Sequence, residues 1–192
     1  MRKRWLAFVA SAFLVVVPAG VLIVASGNEP SVASSLEANI AVLDRAPEES
    51  LRLPAGLEVA GYDTASARKA FALPDGASVV AVRRTDTRIS FGEMVCVLNV
   101  ASEFAASGSC ARVEQFNRGG VTGVEGTVPN TTIVGLVPDG VAEVRITFSD
   151  GSSQTVLVKN NAFALQSKQA ANTVEFEGPD GIVVREVTPF RG

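Results

Sequence analysis

Two cysteines, Cys96 and Cys110, and the absence of any histidine set the chemistry open to this 192-residue chain. Without an imidazole there is neither the commonest general base nor the commonest metal ligand. Serine–histidine–aspartate, cysteine–histidine and zinc-hydrolase mechanisms are thereby closed. The two cysteines are not spaced as Cys-x-x-Cys and have no histidine to complete a zinc site. In an oxidising compartment two cysteines have one pairing, and a disulfide is favoured over a metal or redox pair. Closing a loop of about 15 residues is worth ~3 kcal/mol by the chain-entropy estimate.

Three other groups of residues have the types that chemistry requires. Ser66-Ala67-Arg68-Lys69 matches the Ser-x-x-Lys of penicillin-binding proteins and β-lactamases, in which a lysine one helical turn on accepts the serine proton. The Ser-Asp-Asn and Lys-Thr-Gly companions are missing, so an exposed helical segment with two cations is the stronger reading. Glu175 and Glu177 are the nearest carboxylate pair for acid and base work on sugars. Two residues apart on a strand they share one face, which suits a solvated edge better than a cleft. The third group is the aspartates of Pro74-Asp75-Gly76, Pro138-Asp139-Gly140, Pro179-Asp180-Gly181 and Asp150-Gly151. Proline pre-sets φ, aspartate bonds back to the backbone and glycine takes a positive φ, so these read as tight turns. A calcium loop needs a higher density of oxygens in one segment.

Other patterns carry less. The glycines from Gly119 to Gly126 form no phosphate loop and read as a turn before a strand. Asn130-Thr131-Thr132 matches a glycosylation acceptor, which has meaning only in a secretory host. No cofactor or metal is expected, and no catalytic residue is assigned.

These residues must be held by an antiparallel β framework. Ser78 to Arg83, Glu93 to Val100, Val121 to Val128, Thr131 to Val137, Val141 to Phe148, Thr155 to Phe163, Val174 to Glu177 and Ile182 to Val187 are β-branched or alternating runs of strand length. Their spacing, near ten residues in the second half, points to a sandwich-like domain. In Val141 to Phe148, Val144, Ile146 and Phe148 face one way and Glu143, Arg145 and Thr147 the other, giving one dry face. Two short amphipathic helices are expected before the strands. Ser34-Ser35-Leu36-Glu37 has capping-box form, Leu36, Ile40 and Leu43 follow at helical spacing, and Pro47 ends the helix. Asp63 or Thr64 would cap the second, running through Phe71. The stretch Ala46 to Gly61, with Pro47, Pro54, Gly56 and Gly61, reads as a surface loop.

The fold class is thus mainly β within an α+β whole, preceded by an N-terminal transmembrane helix. Between Trp5 and Ala25 there is no charge, and Arg2-Lys3-Arg4 precedes the run. About 20 apolar residues span the ~30 Å hydrocarbon core as a helix, and the basic cluster stays cytoplasmic. Pro18 is tolerated in such a helix. A cleaved signal peptide is the competing reading. The expected division is a signal anchor over 1–26, spacer, short helix and loop over 27–61, and an extracytoplasmic β-rich domain over 62–192. With three cations in the anchor, the remainder is more acidic than the whole chain's formal net charge of −3. That disfavours nucleic acid, which demands clustered cations. The expected partners are the membrane, through the N-terminal helix, and a second envelope protein.

The run Ile133-Val134-Gly135-Leu136-Val137-Pro138-Asp139-Gly140-Val141, followed by Ser149-Asp150-Gly151 and Val158-Lys159-Asn160-Asn161-Ala162-Phe163, resembles a segment of uncharacterised signal-anchored proteins of actinobacteria. A Val-Cys-Leu-like strand and a Gly-Ser-Cys segment precede it there, matching Val95-Cys96-Val97 and Gly108-Ser109-Cys110. The resemblance runs over roughly Ser66 to Gly181, more weakly over Leu36 to Arg45. It implies an extracytoplasmic β-rich domain with one disulfide and brings no activity. The function expected is a non-catalytic, membrane-anchored β module, binding or structural in the cell envelope. A carboxylate-based envelope hydrolase and an accessory or sensor subunit of a membrane complex are the alternatives.

Overall fold

Valine-rich alternation turns into strand along most of the chain. In the computed structural model, which describes residues 38, 40–48, 51–85, 92–178 and 180–187, eleven strands form three antiparallel sheets. The protein is mainly β, as its sequence predicts. The proposed anchor, the spacer, Leu36 and Pro179 lie outside the described residues. No helix among the described residues is long and apolar enough to cross a membrane.

The first sheet has the order β1-β2-β3-β4, built from Tyr62–Ala72, Ser78–Thr85, Glu93–Ser102 and Ala105–Arg112. A central sheet of order β5-β6-β9 uses Val121–Thr127, Asn130–Leu136 and Ala162–Ser167. The outer sheet has the order β11-β10-β7-β8, from Gly181–Glu186, Ala171–Gly178, Glu143–Phe148 and Ser153–Leu157. Between β4 and β5 runs the helix α2, Val113–Gly119, and before β1 a single turn, α1, Gly56–Val59.

Side-chain alternation assigns each sheet face to a core. On the central sheet Val134, Leu136 and Ala162 pack toward Val79, Ala81, Val95 and Val97 of the first sheet. Their strand neighbours Ile133 and Phe163 pack the other way, against Val144, Ile146, Phe148, Val174 and Phe176 of the outer sheet. The central sheet is therefore buried on both faces. So is the first sheet, because Val80, Val82, Cys96, Leu98 and Val100 on its far side lie beneath Leu51, Leu53 and Leu57. At Gly135 a Cβ would stand 2.3 Å from the Phe163 ring, so only glycine lets that ring lie across the strand.

Several expectations need correction. The stretch Ala46 to Gly61, read as a surface loop, holds the turn α1 and packs Leu51, Leu53 and Leu57 over the first sheet. The segment Asp63 to Phe71 is strand β1, not a helix. Its alanines and basic residues favour helix locally, but pairing with β2 from Tyr62↔Arg84 to Ala72↔Ser78 overrides that weak preference. The helix expected through Ile40 and Leu43 is, over the described residues, an extended Ile40 and a 3₁₀ turn at Ala41–Asp44, with Ile40, Val42 and Leu43 buried in the first core. The run Thr155 to Phe163 is not one strand but two, in different sheets. Asn160 and Asn161 take φ of 54° and 61°, and Lys159 and Ala162 exchange both backbone hydrogen bonds around them. Two left-handed residues in succession make the tight reversal that asparagine tolerates better than most side chains.

Candidate functional site

The sequence-predicted residues are brought to separate places. Cys96 and Cys110 are bonded, as directly opposed residues of β3 and β4, with Cα atoms 4.0 Å apart. Cys96 is fully buried, and the Tyr62 hydroxyl lies 3.9 Å from the Cys110 sulfur. The disulfide thus locks the register of one hairpin under the covered face of the first sheet.

Ser66 and Lys69 lie on a strand, where residues three apart point to opposite faces. The Ser66 hydroxyl donates to the Asp63 carbonyl at 2.7 Å and accepts the Arg83 amide at 2.8 Å. Those bonds sit where the β1–β2 register shifts between Asp63 and Arg68. The serine substitutes for ladder bonds that the irregularity removes, and the helical geometry Ser-x-x-Lys needs is absent.

Of the turn aspartates, Asp150 bonds to Ser152 and to Gln169, while Asp75 caps its own turn and also accepts Gln166 Nε2 of β9 at 2.9 Å. Asp75 accepts the Ala77 amide at 3.0 Å, and Asp150 accepts the Ser152 amide at 2.9 Å and its hydroxyl at 2.6 Å. The Ser152 hydroxyl, then its amide, hold the Asp150 carboxyl below the usual carboxylate range, with Gln169 adding to the effect. Asp139 joins two distant segments at once. In Pro138-Asp139-Gly140 the glycine takes φ +90°, while Asp139 accepts from the Ala41 amide at 2.9 Å and from Asn161 Nδ2 at 2.7 Å. Asn161 Oδ1 in turn accepts the Val42 amide at 3.1 Å, and Asn160 links Arg45 to the Ala70 carbonyl. This polar stitch fastens the chain entering at Ala41 to the two turns. Its role is structural, and the long-range reach of Asp139, like that of Asp75 to Gln166, is invisible in a local turn motif.

Glu175 and Glu177 are the pair the fold gives company. On β10 the alternate residues Val174 and Phe176 are buried, which turns Glu175 and Glu177 to the outer side of the outer sheet. Strand order then brings Arg145 opposite Glu175 on one side and Val184 opposite it on the other. Ile182 stands opposite Glu177, Thr155 opposite Arg145, and Leu157 opposite Glu143. Asp139, Glu143, Arg145, Glu175, Glu177 and Ile182 line an open concavity of about 930 Å³ on this side. Among the described residues Glu143, Arg145, Glu175 and Glu177 have no ion-pair or side-chain hydrogen-bond partner. Ile182 and Val184 on the edge strand β11 are 75% and 59% exposed and Leu157 on the opposite edge strand β8 is 76% exposed, at positions where a solvated strand normally carries polar residues.

Sequence reasoning missed this assembly. It placed the two glutamates together on the solvent side, where they are, but expected a solvated edge. Strand β10 instead lies between β11 and β7, and both glutamates line a concavity. The neighbours of that face come from strands whose order no local pattern states.

A smaller hollow of about 420 Å³ lies beside α2 and includes Cys110, Glu114, Arg118 and Arg185. The Arg185 guanidinium there donates to the Gln115 carbonyl at 3.0 Å, which ties β11 to α2. Among the described residues no group of three or more His, Cys, Asp or Glu side chains is placed to hold a metal ion. The chain matches no protein-family model, no curated protein and no solved structure.

Proposed function

We propose that this protein is a membrane-anchored extracytoplasmic β module that binds another component of the cell envelope rather than turning over a substrate. The Cys96–Cys110 disulfide carries the reading, since such bonds persist in oxidising compartments and are rare in the cytosol. It agrees with the charge-free run from Trp5 to Ala25 behind Arg2-Lys3-Arg4, which we read as a signal anchor with the N-terminus cytoplasmic. The antiparallel sheets packed on shared cores suit a sandwich-like module that the anchor would hold at the membrane surface. Residues whose types suggested catalysis have structural work: Ser66 at a register shift, Asp75 and Asp150 in turns, Asp139 in the stitch to Ala41.

Cell fractionation tests this. The full chain is expected with membranes, released by detergent and not by high salt, and peptide mass spectrometry without reduction is expected to recover Cys96 joined to Cys110. Mature protein beginning near Gly27 in the soluble fraction, or both thiols free, overturns the placement.

The carboxylates of the concavity favour one other reading, a hydrolase acting on envelope glycans with Glu143, Glu175 or Glu177 as acid and base. Release of reducing ends from purified cell-wall glycan, abolished by Glu175→Gln or Glu177→Gln, would replace the binding module with that enzyme.

A further inference from the structure

Three sheets offer six faces, and five of them are covered. The first sheet is closed by the first core and by the residues around Leu51, Leu53 and Leu57, and the central sheet by its two neighbours. The inner face of the outer sheet closes the second core. Its other face has no described residues packed over it, yet it presents Leu157, Ile182 and Val184 to solvent. Exposed aliphatic side chains cost solubility, and adjoining ones such as Ile182 and Val184 on β11 mark contact surfaces, with Leu157 standing apart on the opposite edge strand β8. Charge says what kind of contact. Glu143, Glu175 and Glu177 stand among these aliphatic residues, Asp139 lines the same concavity, and the one cation of the lining, Arg145, leaves a net negative field. Carboxylates without ionic partners gain most from cationic groups brought to them, and potentials across interfaces are arranged to be complementary.

We infer that the outer face of the β11-β10-β7-β8 sheet is the docking surface of this module, and that its occupant is a segment of a partner protein carrying lysine or arginine interleaved with aliphatic residues. This inference rests on the module reading proposed above and specifies its ligand. The rows Thr155–Arg145–Glu175–Val184 and Glu177–Ile182 mix charge and aliphatic surface within a few ångströms, so neither a purely cationic nor a purely apolar segment satisfies it. Strand neighbours lie ~4.8 Å apart, and alternate residues of an extended segment reach the same face, which matches the grain of the surface.

Fluorescence anisotropy on the full chain in neutral detergent micelles tests it. The probe is a labelled eight-residue peptide alternating lysine and valine; the controls alternate glutamate with valine and lysine with serine. The lysine–valine peptide is expected to bind saturably and at least about tenfold more tightly than either control, a factor of the size one good contact supplies. Ile182→Ser with Val184→Ser is expected to weaken it about tenfold. Glu143→Gln with Glu175→Gln and Glu177→Gln is expected to weaken it similarly and to flatten its dependence on salt. Both variants should keep the wild-type far-ultraviolet circular dichroism and thermal transition, and a variant that does not is replaced by its single substitutions. Equal binding of the lysine–valine and lysine–serine peptides, or binding that neither variant changes, overturns the inference. So does self-association through this face, seen as a concentration-dependent mass lost in Ile182→Ser with Val184→Ser. If the peptide fails while the chain stays with membranes and keeps its disulfide, the partner chemistry is wrong and the module reading stands. A soluble chain with free thiols removes the module reading whatever the peptide does.

Discussion

The first and outer sheets each have four antiparallel strands, and each lends one face to a core shared with the central sheet, yet their other faces have opposite fates. On the first sheet the far side carries Val80, Val82, Cys96 and Leu98, all nearly or fully buried beneath the chain that precedes β1. On the outer sheet the far side carries Leu157, Ile182 and Val184 in the open, with Glu143, Arg145, Glu175 and Glu177 between them. The lesson is that burial of the first sheet's second face is a property of stability and stands on this chain alone. The second face of the outer sheet contributes little to folding and is free to serve contact with another molecule. The same substitution should therefore have opposite weights on the two faces.

The strongest test of the contrast is removal of large interior side chains. Phe148, 5% exposed on the inner face of β7, packs in the second core beside Ile146 and Val174. Phe148→Ala is expected to cost ~3–5 kcal/mol in chemical denaturation, and Leu98→Ala on the covered far face of the first sheet ~2–5 kcal/mol. A loss of only ~0.5 kcal/mol for Leu98→Ala would mean that the cover over the first sheet is loose and that the two far faces do not differ in kind.

The disulfide comes next. Cys96 and Cys110 already face each other across a hairpin, so the bond confers loop closure without moving the strands. Replacing both cysteines with alanine should lower stability by up to ~3 kcal/mol while leaving the outer face, and peptide binding to it, unchanged. Loss of binding together with the disulfide would show that the two sheets are coupled, which the comparison denies.

A smaller effect is expected at Gly140. A Cβ there would meet nothing within 4 Å, so space is not the issue; the φ of +90° is. Gly140→Val should cost ~1 kcal/mol or more from backbone strain alone. Thermal melts that show no change would mean that the Pro138-Asp139-Gly140 turn relaxes freely, although Asp139 is tied to Ala41 and Asn161.

How much of this could be read from the sequence follows from how local the cause is. Strands β2, β3, β5, β6, β7, β10 and β11 announce themselves through β-branched alternation, and the Pro-Asp-Gly turns through residue chemistry confined to three positions. Strand β4, Ala-Ala-Ser-Gly-Ser-Cys-Ala-Arg, shows no such pattern, because what it needs is smallness: a Cβ on Gly108 would stand 2.4 Å from Leu98 Cδ2 across the hairpin. Strand β1 looks helical, and only its partner β2 makes it a strand. The candidate site is the least legible part. Glu175 and Glu177 could be placed on a common solvent face from their spacing, but Arg145 and Val184 become their neighbours only through the order β11-β10-β7-β8, which is a tertiary fact.

The smallest expected effect is the most discriminating. Ile182 and Val184 are large aliphatic residues on an edge strand, and a reader of composition alone would assign them to a core. At 75% and 59% exposure they have little burial to lose, so Ile182→Ser with Val184→Ser should change folding stability by no more than ~0.5 kcal/mol. A small stabilisation through better solvation of the edge fits equally well, since exposed aliphatic edges invite association more than they support the fold. The matched change on the first sheet, Val80→Ser, removes a fully buried side chain and sets a hydroxyl in an apolar site, at a cost of several kcal/mol by the same measurement. If denaturation curves instead gave the two variants similar losses, Ile182 and Val184 would be supporting the fold through a cover supplied by residues outside those described. The outer face would then be a further core and not a surface for another protein.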